Sequence, residues 1–187
     1  VTVIDIGANV GMFSNYISWK DNVRLIHAIE PASKPFAELK DQFYYYNHVK
    51  CHKIAIHHFN GKSNININND ETILSTFLDC AGNQSTTEEV DVKTLPDFMN
   101  SVNLTSVDLI KMDVEGLEYE ILNSMNDGDI QRASRWIVEY HINDDGKSEI
   151  LQDRFKRLGY SVENFPDKIP QYLNGGVALQ GFFFAKK

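Results

Sequence analysis

The segment from Val1 to Gly11 constrains the fold more than any other. Val1 to Ile6 is a short apolar run rich in β-branched residues, closed by Gly7, and reads as a buried strand. From Gly11 to Lys20 the apolar residues Met12, Phe13, Tyr16, Ile17 and Trp19 take helical spacing. A strand followed at once by a helix is half of a crossover unit, and such units build parallel sheets.

The pattern recurs along the chain. Arg24 to Ile29 is a second apolar run, and Pro31 holds Glu30 extended at its end. Ser33 suits a helix N-cap with Pro35 in the first turn, and Phe36, Leu39, Phe43 and Tyr46 share one helical face. Val49 to Ile56 reads as a third strand. Gly61 to Gln84 is rich in Asn, Ser and Thr, with one alternation at Ile65 and Ile67, and reads as a surface hairpin or insertion. Glu89 to Leu95 alternates as a half-exposed strand, and Pro96 to Asn103 reads as a helix. Val107 to Asp113 is a buried strand turned by Gly116, followed by the helical stripe Leu117, Ile121, Leu122 and Met125. Trp136 to Tyr140 is another buried strand. Ile150, Leu151, Arg154, Phe155 and Leu158 describe a helix stopped by Gly159. Two strands close the chain, Tyr160 to Phe165 and Val177 to Ala185, with no helix between them. The expectation is one doubly wound α/β domain over residues 1–187, its sheet mostly parallel, with an antiparallel hairpin at the end.

Composition narrows the function. Hydrophobic residues make up 42% and charged residues 24% of the chain, which is globular and too apolar for a disordered tail. A net charge of −8 argues against nucleic acid as partner. No run of about 18 apolar residues is present to span a membrane, and no signal peptide is visible. The expectation is a cytoplasmic protein, although Val1 already lies in an apolar run, so an upstream segment is left open. The two cysteines make no metal-type spacing, and no metal site is expected. His57 and His58 read as surface residues at a strand end, and Tyr44-Tyr45-Tyr46 as the half-buried side of a helix.

Asp5-Ile6-Gly7-Ala8-Asn9-Val10-Gly11 occupies the first strand-to-helix turn, beside the place where ligands bind in open α/β sheets. Glu30 lies 19 residues after Gly11 at the next strand end, where a carboxylate accepts hydrogen bonds from a ribose. The Gly-x-x-x-Gly spacing differs from the Gly-x-Gly-x-x-Gly that fits a pyrophosphate, which favours a nucleoside ligand without a diphosphate. These stretches, with Ala28-Ile29-Glu30-Pro31, Asp108 to Glu118 (DLIKMDVEGLE) and Ile137-Val138-Glu139-Tyr140-His141, resemble the class I S-adenosylmethionine-dependent methyltransferases and, within them, the FkbM family. The segment around Asp113 is the most family-specific.

The resemblance implies a seven-stranded sheet with an antiparallel last strand, extra strands at 61–94, and S-adenosyl-L-methionine as cofactor. It implies that Asp5, Gly7, Ala8, Asn9 and Gly11 hold the methionine end, that Glu30 binds the ribose, that Ile54 and Ala55 flank the adenine, and that Asp113 faces the sulfonium or the acceptor. Relatives usually carry an N-terminal segment that helps cover the site, and their Leu-Asp before the fourth helix reads Leu95-Pro96-Asp97 here. The implied reaction is O-methylation of a small molecule or a saccharide. A hydroxyl acceptor calls for a general base, and Asp113, Glu115, Glu139 and His141 are the candidates at strand ends. Two alternatives stay open: a catalytically silent cofactor-binding domain, and a nicotinamide-dependent oxidoreductase, which the Gly spacing disfavours. The acceptor's identity and the oligomeric state are not legible in the sequence.

Overall fold

The computed structural model describes residues 1–68, 75–76, 85–141, 146–166, 171–173, 176–178 and 180–187. The elements run β1 (Thr2–Ile6), α1 (Met12–Ser18), β2 (Leu25–Ile29), α2 (Ser33–Gln42), β3 (Val49–His52), β4 (Ala55–Ile56), β5 (Gly61–Asn68), β6 (Ser75–Thr76) and β7 (Ser85–Lys93). Then come α3 (Leu95–Ser101), β8 (Leu109–Met112), α4 (Glu118–Ser124), α5 (Asp127–Ile130), β9 (Arg135–His141) and α6 (Lys147–Arg157). The chain closes with β10 (Ser161–Pro166), β11 (Gln171–Leu173), β12 (Gly176–Ala178) and β13 (Gln180–Lys186).

Seven strands form the main sheet in the order β10-β13-β9-β8-β1-β2-β3. β1, β2, β3, β8 and β9 are parallel, and β13 runs antiparallel between β9 and β10. The order reverses between β1 and β8, so the carboxyl ends of those two strands flank the switch point where such sheets bind ligands. Period-two alternation sends successive side chains to opposite faces. Ile4, Ile6, Ile110, Met112, Val138 and Phe183 go to one face, under α4 and α6. Val3, Ile26, Ala28 and Leu109 go to the other, under Leu39 and Phe43 of the α2 end.

Several local expectations are corrected. The third strand stops at His52; Ala55–Ile56 leaves the main sheet and pairs parallel with β7 in a smaller one, β4-β7-β5-β6. β5, in the Asn-rich stretch, pairs antiparallel with β7, the strand expected from Glu89 to Leu95, which begins already at Ser85; residues 69–74 and 77–84 of the stretch lie outside the described residues. Ser33 is the first helical residue instead of the N-cap, which is Ala32, and its hydroxyl serves Glu88 of β7. The α1 stripe splits: Phe13 and Ile17 pack inward, whereas Met12, Tyr16 and Trp19 are exposed. The helix expected to carry Tyr44-Tyr45-Tyr46 ends at Gln42; Tyr44 and Tyr45 turn outward and only Tyr46 packs, edge-on to Phe43. His57 is buried, contrary to its reading as a surface residue; it continues the pairing of β4 with β7, its amide donating to Lys93 O. His58 is exposed. The last strand begins at Gln180; Val177 belongs to the β11–β12 hairpin.

Candidate functional site

Strand register builds the site. Ile6 pairs with Ile29 on one side and Met112 on the other, and Met112 pairs with Val138. One step further, at the carboxyl edge, Glu30, Gly7, Asp113 and Glu139 therefore lie in one lateral row and on one face. Gly7 sits at φ +72 and a Cβ there would lie 1.7 Å from the Asp113 carbonyl oxygen, so only glycine lets β1 and β8 approach this closely. Gly11 serves packing: a Cβ there would lie 2.7 Å from both Leu39 and Phe43.

The amides of the turn are all consumed within the protein. Gly7 N and Ala8 N donate to Ile29 O (3.1 and 2.9 Å), Asn9 N to Glu30 Oε2 (2.9 Å), Val10 N to Asn9 Oδ1 (2.7 Å) and Gly11 N to Ala8 O (2.8 Å). A diphosphate cradle needs such amides directed at the ligand. This turn therefore suits a ligand that is held by side chains and by shape.

A cleft of roughly 740 Å³, open in part to solvent, lies against this edge. Of the residues singled out in the sequence, Gly7, Asn9, Glu30, Ile54, Ala55, Asp113 and Glu115 line it, joined by Ile29, Pro31, Pro35 and Val114. Asp5, Ala8 and Gly11 do not line it. The His141 backbone pairs with Gln180 at the end of β9, and its side chain lies outside the described residues. Glu30 is buried, and its second oxygen accepts from Ala32 N at 2.9 Å. Burial raises its pKa to about 7 despite those two amides.

Sequence reasoning passed over Lys111. It sits in the middle of the β8 run, paired in register with Asp5. Its ammonium donates to Asp113 Oδ2 (2.9 Å) and Gly7 O (3.1 Å) and lies 3.6 Å from Asp5 Oδ1. Asp5 is fully buried; Oδ2 accepts from Ser14 at 2.7 Å, and Oδ1 has no hydrogen bond. Burial raises the Asp5 pKa, and the Lys111 charge offsets part of that rise. Burial on its own would lower the Lys111 pKa, but Asp5 and Asp113 reverse this and leave it raised. Lys111 thus ties the first turn to Asp113. The signal was available: a lysine inside an apolar strand needs a buried anion, and Asp113 lies two residues on, on the same face.

The turn after β8 is strained. Glu115 takes φ 55 and Gly116 φ 100, and Glu118 Oε1 reaches back to the amides of Val114 (2.9 Å) and Gly116 (3.3 Å). Burial raises both Glu115 and Glu118 to about 7. Glu139 is raised to about 8, first by burial and then by its hydrogen bond to Asp113 and the Asp113 charge. A carboxyl raised above its unfolded value of 4.5 stabilises the fold below that value and loses this contribution as pH climbs through the folded pKa. Glu118→Gln keeps an amide oxygen for the two N–H groups and removes the titration. Relative to the parent protein, it is expected to gain on the order of 1–3 kcal/mol in unfolding free energy between about pH 5 and pH 8. Urea denaturation at both pH values measures this; parallel curves would show that Glu118 does not titrate in that window.

The model of the Methyltransferase FkbM domain matches residues 5–177. The chain belongs to the FkbM methyltransferase family. Methyltransferase 1 of Beauveria bassiana is 30% identical over 166 residues, covering 73% of this chain and 63% of that protein. The 31-O-demethyl-FK506 methyltransferase FkbM of Streptomyces tacrolimicus is 26% identical over 178 residues, covering 80% and 68%. This FkbM-family chain thus spans about two thirds of the length of the two relatives. Among solved structures, precorrin-6y C5,15-methyltransferase of Geobacter metallireducens superposes with a TM-score of 0.56 at 13% identity, covering 100% of this chain and 81% of that one. TrmK of M. capricolum, solved with S-adenosylhomocysteine, gives 0.56 at 10% identity, covering 100% and 62%. These likenesses establish the class I methyltransferase fold.

S-adenosyl-L-methionine is the cofactor of this family, and the donor set suits it. The buried Glu30 carboxylate keeps lone pairs beyond its two amide contacts, Ile54 and Ala55 give an apolar wall for a base, and the turn offers no diphosphate cradle. Among the described residues, no group of three or more His, Cys, Asp or Glu side chains is placed to hold a metal ion, and no helix is long and apolar enough to cross a membrane.

Proposed function

We propose that this chain methylates a hydroxyl oxygen of a small molecule or a saccharide. The observation that carries the reading is the Asp113–Glu139 carboxyl pair in one lateral row with Glu30, of which Asp113 and Glu30 line the cleft. When bound, S-adenosylmethionine supplies a methyl group on a positively charged sulfur. Glu30 accepts the ribose hydroxyls, Ile54 and Ala55 flank the adenine, and Gly7 and Asn9 shape the wall near the methionine end. Asp5, Ala8 and Gly11 act from behind that wall. The Lys111 ammonium donates to Asp113 Oδ2, and Glu139 hydrogen-bonds to the same carboxyl group. Asp113 takes the proton of the acceptor hydroxyl, a contribution of about 10²- to 10⁴-fold, and Glu115 and His141 stand at the same edge as further polar groups. The Streptomyces relative, whose name specifies methylation at an oxygen of FK506, supports oxygen as the target atom.

The test begins with calorimetric titration of S-adenosylhomocysteine, which needs no acceptor. Micromolar binding is expected, with none for NADH. Protonating Glu30 removes an acceptor from the ribose, so affinity should fall as pH drops from about 8 to about 6, through the Glu30 pKa near 7. Glu30→Ala should weaken binding roughly ten- to hundred-fold and flatten that dependence, whereas Glu115→Gln should leave it. Tight NADH binding, or unchanged affinity in Glu30→Ala, would reject the assignment.

A further inference from the structure

The row that carries Glu30, Gly7, Asp113 and Glu139 does not end at Glu139. The antiparallel register pairs Glu139 with Phe182, and Phe182 with Phe165. Paired residues point to the same face, so both rings stand beside the carboxyl pair at the same edge of the sheet. Phe183, one residue on, points the other way and is fully buried, edge-on to Phe155. Phe182 and Phe165 are 47% and 43% exposed, and their rings stack on each other with centroids 5.2 Å apart and planes 22° apart. At about 4.8 Å per strand, Phe182 lies about 10 Å from Asp113 across the sheet. That is the span of a ring compound with one hydroxyl at Asp113 and its body against Phe182, on the side away from Phe165.

We propose that Phe182, backed by Phe165, forms the acceptor subsite, a platform for a hydroxylated ring with an apolar C–H face, of which a saccharide is the type. This rests on the methyl-transfer reading above. The negative face of a phenyl ring attracts the polarised C–H groups on one side of a pyranose, and the hydroxyls around the sugar's rim remain free to reach Glu139 and Asp113. Stacking also suits a site that must orient a ring while leaving one oxygen unobstructed. A polar pair at these positions would compete with the carboxyls for the acceptor's hydroxyl protons.

The experiment is two-dimensional NMR of the full chain loaded with S-adenosylhomocysteine and titrated with methyl β-D-glucopyranoside, with glycerol as an acyclic polyol control. The glucoside should shift the ring signals of Phe182 and Phe165 saturably, and glycerol should not. Phe182→Ala should weaken glucoside binding roughly ten-fold. Phe182→Leu, which keeps apolar bulk and the fold, should weaken it likewise because it lacks a flat face. Affinity for S-adenosylhomocysteine should be equal in all three proteins. The proposal is overturned if the glucoside leaves both rings unshifted, or if either variant binds it as tightly as the parent. Ring shifts that depend on protein concentration alone, with no glucoside effect, would assign the pair to a second copy and equally overturn it. Absence of S-adenosylhomocysteine binding would defeat the methyl-transfer reading separately, since glucoside titration of the unloaded protein still reports on the platform.

Discussion

Replacing Asp113 with alanine is expected to abolish turnover, a fall of at least roughly 10²- to 10⁴-fold, while S-adenosylhomocysteine still binds. Asp113 is the residue on which the site converges: Lys111 donates to it, Glu139 bonds to it, and it lines the cleft at the end of β8. His141→Ala is expected to lower turnover by less. Near-parental rates in both variants would reject the assignment. A second readout separates loss of a proton acceptor from general damage. The Asp113 hydrogen bond and charge both raise the Glu139 pKa, after burial. In Asp113→Ala the Glu139 carbon-13 carboxyl titration should therefore move to lower pH. An unmoved Glu139 would mean that the two carboxyls do not share a proton, and the base would have to be sought elsewhere.

The residues most legible in the sequence were those whose backbone geometry leaves no choice. Gly7 had to be glycine, and the structure shows why, with the Asp113 carbonyl where a Cβ would sit. Pro31 ended a strand and placed Glu30 at its edge, which is where Glu30 lies. The doubly wound order with an antiparallel closing strand followed from helices between the early strands and none before the last. Illegible features were those decided by partners distant in sequence. Nothing near Ala55 announces that β4 will leave the main sheet, because its partner Val92 lies far along the chain. The burial of His57, which continues that pairing, was illegible for the same reason. The aromatic stripe of α1 misled because periodicity reveals a helix but not which of its faces is covered.

The site shows the same division. Glu30 and Asp113 could be read from strand ends, but their row could not, because it needs the register of four strands. Gly11, a motif residue that does not line the cleft, fits the start of α1 against Leu39 and Phe43. Motif residues can thus be chosen for the packing that creates a site as well as for contact with its ligand. Asp5 belongs to that class too. It does not line the cleft, yet its carboxylate lies 3.6 Å from the Lys111 ammonium, which donates to Asp113.

That support makes Lys111 the residue whose loss should cost most in stability. Lys111→Met preserves much of the side chain's length and apolar stem but removes the cation between Asp5 and Asp113. Asp5 is then a fully buried carboxylate with Ser14 as its remaining hydrogen-bond donor. Breaking a buried pair by removing one partner costs about 3–5 kcal/mol, because the surviving charge is uncompensated. Urea denaturation near neutral pH should show that loss. The deficit should shrink as pH falls, since the stranded Asp5, whose pKa is already raised by burial, then takes up a proton and ceases to be a charge. Adding Asp5→Asn should recover part of the deficit, because the amide has no charge to strand; a double-mutant cycle gives the coupling. A deficit below about 1 kcal/mol, or one that does not change with pH, would show that Lys111 is not the counter-ion. If the coupling holds, the middle of DLIKMDVEG has a physical reading: the lysine allows one carboxylate to be buried and holds the other at the edge of the cleft.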